Sequence, residues 1–374
     1  MKTLRAPGRP APRPRIAGLI WFLALILASG CGSEPVPVLG AAAGEDFLDG
    51  IRLALADDEE EFGPLPPLDT LLVLQGSARA ASALEKAEEL VEAPGLLAVI
   101  GHASSPASLA SSQVYNRAGV VQIAPTSTAP LYSQAGAFSF RMVPSDHHQG
   151  RFLAHALPRF LPEGGRVAVL YVNDDYGRGL RESFLQALDR DLYEPLLDLP
   201  HTEGEIGELD VAHHMDALES VRPDMVAWLG RVPGLAALLP GLRERVGPIP
   251  VLGGDGVARA DLFTERGPEW AGVHYADFID VDGTPGIREV RERFQARFGA
   301  DAGASELFSY DAARMVLAAV REGVRTPEDL RDYLLSLGRE RPPFSGVTGP
   351  IQFNEVGDVE TSYVLRTLEP RPAP

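Results

Sequence analysis

Two short segments hold polar groups at a spacing that could bind a small ligand. Gly101-His102-Ala103-Ser104-Ser105-Pro106 follows the apolar run Leu96–Ile100 and leads into a helical pattern. Pro106 suits the first helical position and Ser105 the N-cap before it. A helix N-terminus at the carboxyl end of a parallel strand presents free N–H groups and a favourable dipole to an anion. The next apolar run ends in Ala124-Pro125-Thr126-Ser127-Thr128-Ala129-Pro130, a second hydroxyl-rich turn at the same edge. Two such turns on consecutive strands can converge on one small polar ligand at the rim of a sheet. The alternative is a plain cap and a plain turn, and the residues alone leave both open.

Other chemistries lack their residues. No G-x-x-x-x-G-K-[ST] is present, and beyond the first thirty residues Lys86 is the single lysine, which excludes a P-loop enzyme. Gly254-Asp255-Gly256 begins like a dinucleotide fingerprint, but Arg259 stands at the third glycine position. There is no G-x-S-x-G elbow and no H-E-x-x-H. His147-His148 and His213-His214 are adjacent pairs, and neighbours on a helix point about 100° apart, so neither pair chelates a metal. The sequence therefore predicts neither an enzyme nor a cofactor or metal site. The acidic run Asp57–Glu61 closes a first helix before Gly63-Pro64 and reads as a solvated helix end.

The elements that must position the two turns alternate in type. Apolar runs at 71–74, 96–100, 120–123, 167–172, 225–229 and 249–252 are separated by amphipathic stretches, among them helices over 78–91, capped by Ser77, and 106–118. Strands apolar throughout and alternating with helices imply parallel sheets covered on both faces. Thr284-Pro285 opens a helix with Ile287, Val290, Phe294 and Phe298 on one face, and Gly299 ends it. Thr326-Pro327 opens another, with Gly338 just past its end. The fold class is α/β, and 374 residues favour two lobes.

The first thirty residues carry five basic side chains, no acid, and the apolar run Ile16–Leu27, the pattern of an export signal. Ile16–Leu27 is shorter than a membrane-spanning helix requires. The segment Leu27-Ala28-Ser29-Gly30-Cys31 resembles a bacterial lipobox, which makes Cys31, the lone cysteine, the expected lipid attachment point. One cysteine also excludes an internal disulfide framework. The whole chain has 34 basic and 52 acidic residues, net −18; without residues 1–30 the balance is 29 against 52, net −23. Such a surface repels phosphate backbones and anionic lipid head groups, so neither nucleic acid nor direct membrane contact is expected, and the lipid alone is the tether.

Gly101–Ser105, Ile123–Pro130, Phe140-Arg141…Pro144-Ser145-Asp146, Asp174-Asp175-Tyr176-Gly177, Ser309-Tyr310-Asp311-Ala312 and the ending Ser345–Asn354 together resemble type 1 periplasmic binding proteins. The branch resembled is that of leucine/isoleucine/valine-binding receptors of ABC importers, from about Val36 to Leu368. This resemblance implies a Venus-flytrap of two doubly wound lobes with parallel-rich sheets, joined by three hinge crossings. Its expected boundaries are a signal at 1–30, a linker at 31–37, one lobe from 38–143 and 279–347, and the other from 144–278 and 348–374. It also implies a monomer outside the cytoplasm, on a membrane face, with an ABC importer permease as partner and an amino acid in the cleft.

Carried over by position, Ser105 and Thr128 bind the ligand carboxylate, while the Thr126 carbonyl and Thr128 hydroxyl accept from its ammonium. Tyr176 closes from the second lobe and Asp255 faces the ammonium; Ser104 and Arg231 complete the candidate set. Departures are the bare Ala41-Ala42-Ala43-Gly44, where the family carries an aromatic, an aromatic pair replaced around Gly230-Arg231-Val232, and Ser104 at a family disulfide position. Arg231 reads either as a partner for an acidic or larger ligand or as a surface arginine, and Asp255 either as a ligand group or as a turn residue. The competing reading is an adaptor lipoprotein that keeps this fold without the ligand, as activators of peptidoglycan synthases do.

Overall fold

A computed structural model of the chain describes residues 36–74, 79–202, 208–262, 267–280 and 285–370. The export signal, Cys31 and Ser77 lie outside these residues. Most of the apolar runs form strands because buried segments satisfy their backbone by pairing with neighbouring strands. In the first lobe these are β1 (Val38–Ala43), β2 (Asp69–Leu74), β3 (Leu96–Gly101), β4 (Val121–Ala124) and β5 (Ser139–Arg141), an all-parallel sheet in the order β2-β1-β3-β4-β5. The first three are followed by α1 (Glu45–Phe62), α2 (Ala80–Leu90) and α3 (Ser105–Ala118).

The chain then enters the second lobe through α4 (Asp146–Ala156), capped by Ser145, whose hydroxyl accepts from His147 N–H at 3.3 Å. There follow β6 (Gly165–Val172), α5 (Asp175–Ala187), β7 (Tyr193–His201), α6 (Glu208–Val221), β8 (Met225–Leu229), α7 (Val232–Gly241), β9 (Val251–Gly253) and β10 (Val273–Asp277). Next come α8 (Pro285–Phe298), α9 (Ala304–Arg321) and α10 (Pro327–Ser336), the hairpin β11 (Phe344–Gly346) and β12 (Gly349–Ile351), and β13 (Val364–Leu368). The second sheet runs β13-β10-β9-β8-β6-β7, parallel except for the antiparallel final strand β13.

The later elements return to the first lobe before β13 leaves it. α9 crosses α1 so closely that a Cβ on Gly50 would lie 2.3 Å from the Glu306 carbonyl oxygen. Only glycine permits that backbone approach. Leu307, Phe308, Met315, Val316 and Val320 of α9 are buried there, each contributing about 1.5–3 kcal/mol by leaving water. Asp311 of α9 accepts hydrogen bonds from Val347 N–H (2.9 Å), Thr348 N–H (2.9 Å) and the Thr348 hydroxyl (2.6 Å), fixing the β11–β12 turn.

Three local expectations change. α2 begins at Ala80 with Arg79 as its N-cap, later than the expected start at 78. At the second helix the cap is Ser104, whose hydroxyl accepts from Ala107 N–H at 3.4 Å, and Ser105 is already the first helical residue. The acidic run is a solvated end only in part: Glu59, Glu60 and Glu61 are exposed, whereas Asp57 and Asp58 are not. Asp58 is 2% exposed and pairs with Arg321 at 2.5 Å; Asp57 pairs with Arg293 and accepts from Tyr310, and Glu61 pairs with Arg314. Asp57, Asp58 and Glu61 thus meet cations from α8 and α9, while Glu59 and Glu60 face solvent.

Candidate ligand-binding site

The turns that leave the carboxyl ends of the strands meet across one cavity of about 420 Å³. From the first lobe come Ser104, Ser105 and Thr126; from the second come Tyr176, Arg231 and Asp255. Six of the seven ligand candidates predicted from sequence therefore line one space. The seventh, Thr128, is not among the lining residues: it is 1% exposed and its hydroxyl has no hydrogen-bond partner.

Ser105 ties the two hydroxyl turns together. Its Oγ accepts from Thr128 N–H (3.2 Å) and Ala129 N–H (3.1 Å). The second turn is held from behind by Arg141 of β5, which is fully buried. Its guanidinium donates to the Thr128 and Ala129 carbonyls (3.1 and 3.0 Å), to Ser133 Oγ (2.5 Å) and to Asp358 Oδ2 (2.6 Å). One arginine thus fixes the turn and joins it to the C-terminal segment, using the planar fork that a lysine lacks.

On the second lobe Asp255 follows β9 and begins a 3₁₀ segment, Asp255–Leu262. Its Oδ1 accepts from Gln149 Nε2 of α4 (2.7 Å) and from the Tyr176 hydroxyl of α5 (3.1 Å). Gln149 Oε1 accepts in return from Asp255 N–H at 3.3 Å, and Tyr176 Oη accepts from Gly256 N–H at 3.0 Å. Burial pushes the Asp255 carboxyl up to about 6, opposed by the Gln149 and Tyr176 hydrogen bonds and by the charge of Arg231. Asp255 is accordingly a clamped anion in the cavity wall and not a free turn residue.

Arg231 is not a free surface residue. It lines the cavity, pairs with Asp174 at 2.9 Å and lies over the Tyr176 ring, 5.0 Å from its centre. Asp174 in turn caps α5, accepting from Gly177 N–H at 3.0 Å.

The apolar wall comes from residues that sequence reasoning passed over. Ala41, Ala42 and Ala43 are buried in β1, and the ring in this region is Phe47, in the first turn of α1. Phe278, just after β10, lines the cavity and packs edge-on against Phe308 at 5.9 Å; Val232 and Pro233 add to the same wall. The signal for Phe47 was available: it follows the carboxyl end of the first parallel strand, where such folds keep their ligand loops. Gln149 left no such trace. Among the described residues no group of three or more His, Cys, Asp or Glu side chains can hold a metal ion, and no helix is long and apolar enough to cross a membrane.

The two lobes also touch beside the cavity. Gly179 of α5 approaches Pro130, at the end of the second hydroxyl turn, so closely that a Cβ there would lie 2.5 Å from Pro130 Cδ.

Comparison with known proteins accords with this geometry. The family described as periplasmic binding protein matches residues 39–368. A Leu/Ile/Val-binding protein homolog from Brucella abortus is 26% identical over 337 residues, covering 87% of this chain and 86% of its own. An amino acid binding protein from Pseudomonas aeruginosa is 27% identical over 335 residues, with 87% and 86% covered. Among solved structures, a branched-chain amino acid transporter substrate-binding protein from Streptococcus pneumoniae, in complex with isoleucine, superposes with a TM-score of 0.77. It is 19% identical and covers 89% of this chain and 96% of its own.

Proposed function

Since the chain belongs to the periplasmic binding protein family, with the type 1 two-lobed fold, we propose that it is the solute receptor of an ABC importer and captures an amino acid or a similar small zwitterion. The observation that carries this reading is the opposition of donors and acceptors across one cavity. Ser104, Ser105 and Thr126 lie on one lobe, and Asp255 with Tyr176 on the other. A zwitterion needs both kinds of partner, held apart on preorganised backbone. Ser105 and the N-terminus of α3 serve the carboxylate, and Asp255 serves the ammonium. A ligand touching both lobes stabilises the closed form by its differential contacts.

The side chain of the ligand faces Phe47, Phe278, Val232 and Pro233 on an apolar wall, with Arg231 at its edge. This wall suits an apolar or aromatic side chain. Export and attachment through a lipid on Cys31, the lobe boundaries expected from sequence, a monomeric state and an importer permease as partner belong to the same proposal, supported by the leader pattern and the family.

The test is a thermal-shift screen of the purified protein against the proteinogenic amino acids. Ligand at a hundred times its Kd stabilises by about 2.7 kcal/mol, a readily measured rise in Tm. Stabilisation by a subset of amino acids, reduced in Asp255→Ala, is the expected result. No response to any of them removes the receptor reading and favours an adaptor that kept the fold without the ligand.

A further inference from the structure

Behind the cavity wall sits a carboxyl group that ligand capture does not use. Asp146, the first residue of α4, is 0% exposed, and neither of its carboxylate oxygens has a hydrogen-bond partner. Its own N–H is spent on the Thr128 carbonyl at 2.8 Å. Asp146 and Gln149 are three positions apart on α4, hence on one helical face, and Gln149 grips Asp255. The two acids are therefore neighbours around one helix turn.

Most of the donors that surround Asp146 are committed elsewhere. Gln149 Nε2 goes to Asp255, and the Tyr363 hydroxyl donates to the Pro144 carbonyl at 3.0 Å. On the first-lobe side the two terminal nitrogens of Arg141 serve Thr128, Ala129, Ser133 and Asp358, and only its Nε has no hydrogen-bond partner. From the second lobe Arg231 pairs with Asp174, and the Tyr176 hydroxyl donates to Asp255. The Thr128 hydroxyl beside Asp146 is likewise without a partner. A fully buried ionised carboxylate without a donor is among the costliest groups a fold can hold, and such a group takes up a proton instead. Two carboxylates in one dry site cannot both ionise freely.

We propose that Asp146 and Asp255 form a one-proton carboxyl pair, in which Asp146 keeps the proton and Asp255 carries the negative charge offered to a cationic ligand group, so that acidification releases the ligand. The protonated Asp146 spares Asp255 a like charge behind it. Burial and the charge of Asp255 both push the Asp146 carboxyl well above its ordinary range, and Arg141, Arg231 and the Thr128 hydroxyl only partly offset them. Asp255, clamped by Gln149 and Tyr176, titrates lower, near 6. This inference rests on the receptor reading for its ligand, but not for its proton.

The decisive measurement is a carboxyl-carbon NMR titration of the ligand-free protein labelled at aspartate. One protonated aspartate at pH 7, absent from Asp146→Asn, is expected. That variant should keep the wild-type Tm at pH 7, because an amide replaces a neutral acid. With a bound amino acid, affinity should fall about tenfold between pH 7 and pH 5 as Asp255 takes up its proton. A spectrum with every aspartate ionised at pH 7 overturns the pair, as does an affinity unchanged over that pH range. If no amino acid binds, the receptor reading fails while the titration still decides the state of Asp146.

Discussion

Gln149 and Asp255 are 106 residues apart in sequence and hold each other by two hydrogen bonds, side chain to side chain at 2.7 Å and backbone to side chain at 3.3 Å. The carboxylate that would receive the ligand ammonium is therefore oriented by α4, a helix distant from it in sequence. Gln149→Leu should leave Asp255 without its first donor. The lost hydrogen bond costs about 1–3 kcal/mol where it leaves a buried charged group unpaired. Ligand affinity should fall by roughly tenfold or more, and the Asp255 titration should move upward, both measurable by calorimetry across pH.

Ser105→Ala removes the acceptor for two buried N–H groups, those of Thr128 and Ala129. Each unsatisfied donor costs about 1–3 kcal/mol. Chemical denaturation should show a loss of about 2–6 kcal/mol, together with weaker ligand binding. Ser105→Thr, which keeps the hydroxyl, should recover the stability before the affinity.

Asp358→Ala strands the guanidinium of Arg141, whose side chain is 0% exposed. Breaking one partner of a buried pair costs about 3–5 kcal/mol. The double variant Arg141→Met with Asp358→Ala should be less destabilised than the sum of the single variants, and the second hydroxyl turn should then exchange its amide protons faster.

Gly179→Val places atoms where Pro130 Cδ already stands, at the contact between the lobes. The folded lobes should survive, since the added group points into the gap between them and not into a core. Closure should suffer. Small-angle scattering should show a radius of gyration that no longer shrinks on adding ligand, and affinity should drop with little change in Tm.

Burial pushes the Asp311 carboxyl up to about 6 despite its bonds to Val347 and Thr348. A raised acid binds more protons folded than unfolded, so its contribution is fully present below its unfolded value of about 3.9 and is lost as pH rises through 6. The shift corresponds to roughly 3 kcal/mol. Unfolding free energies measured from pH 4 to pH 7 should fall more steeply in the wild type than in Asp311→Asn.

Much of the scaffold was legible because its strands are apolar throughout. Met225–Leu229 is a strand with the expected ends, and the helices opened by Pro285 and Pro327 begin where fixed proline φ angles start them. Adjacent serines marked the limit of local reading: spacing cannot say which of Ser104 and Ser105 caps α3, because the answer depends on which one the second turn needs. Phe47 is not legible as a ligand-wall residue from the bare Ala41–Gly44 segment, because it reaches the cavity only from the first turn of the helix that follows. Gln149, Asp146 and the Arg141–Asp358 pair, 217 residues apart, could not be read at all. Their meaning lies in contacts between distant segments, which no local pattern encodes.

The order in which the two sheets collect their parts bears on how the protein is made. α9, which covers the face of α1, is encoded after the whole parallel run of the second lobe, and β13 completes that lobe only at residues 364–368. Neither lobe can complete its packing until elements late in the order, α9 for the first and β13 for the second, have been made. A long search for non-local partners slows folding. The segments made first therefore wait for partners from far down the chain before their cores close.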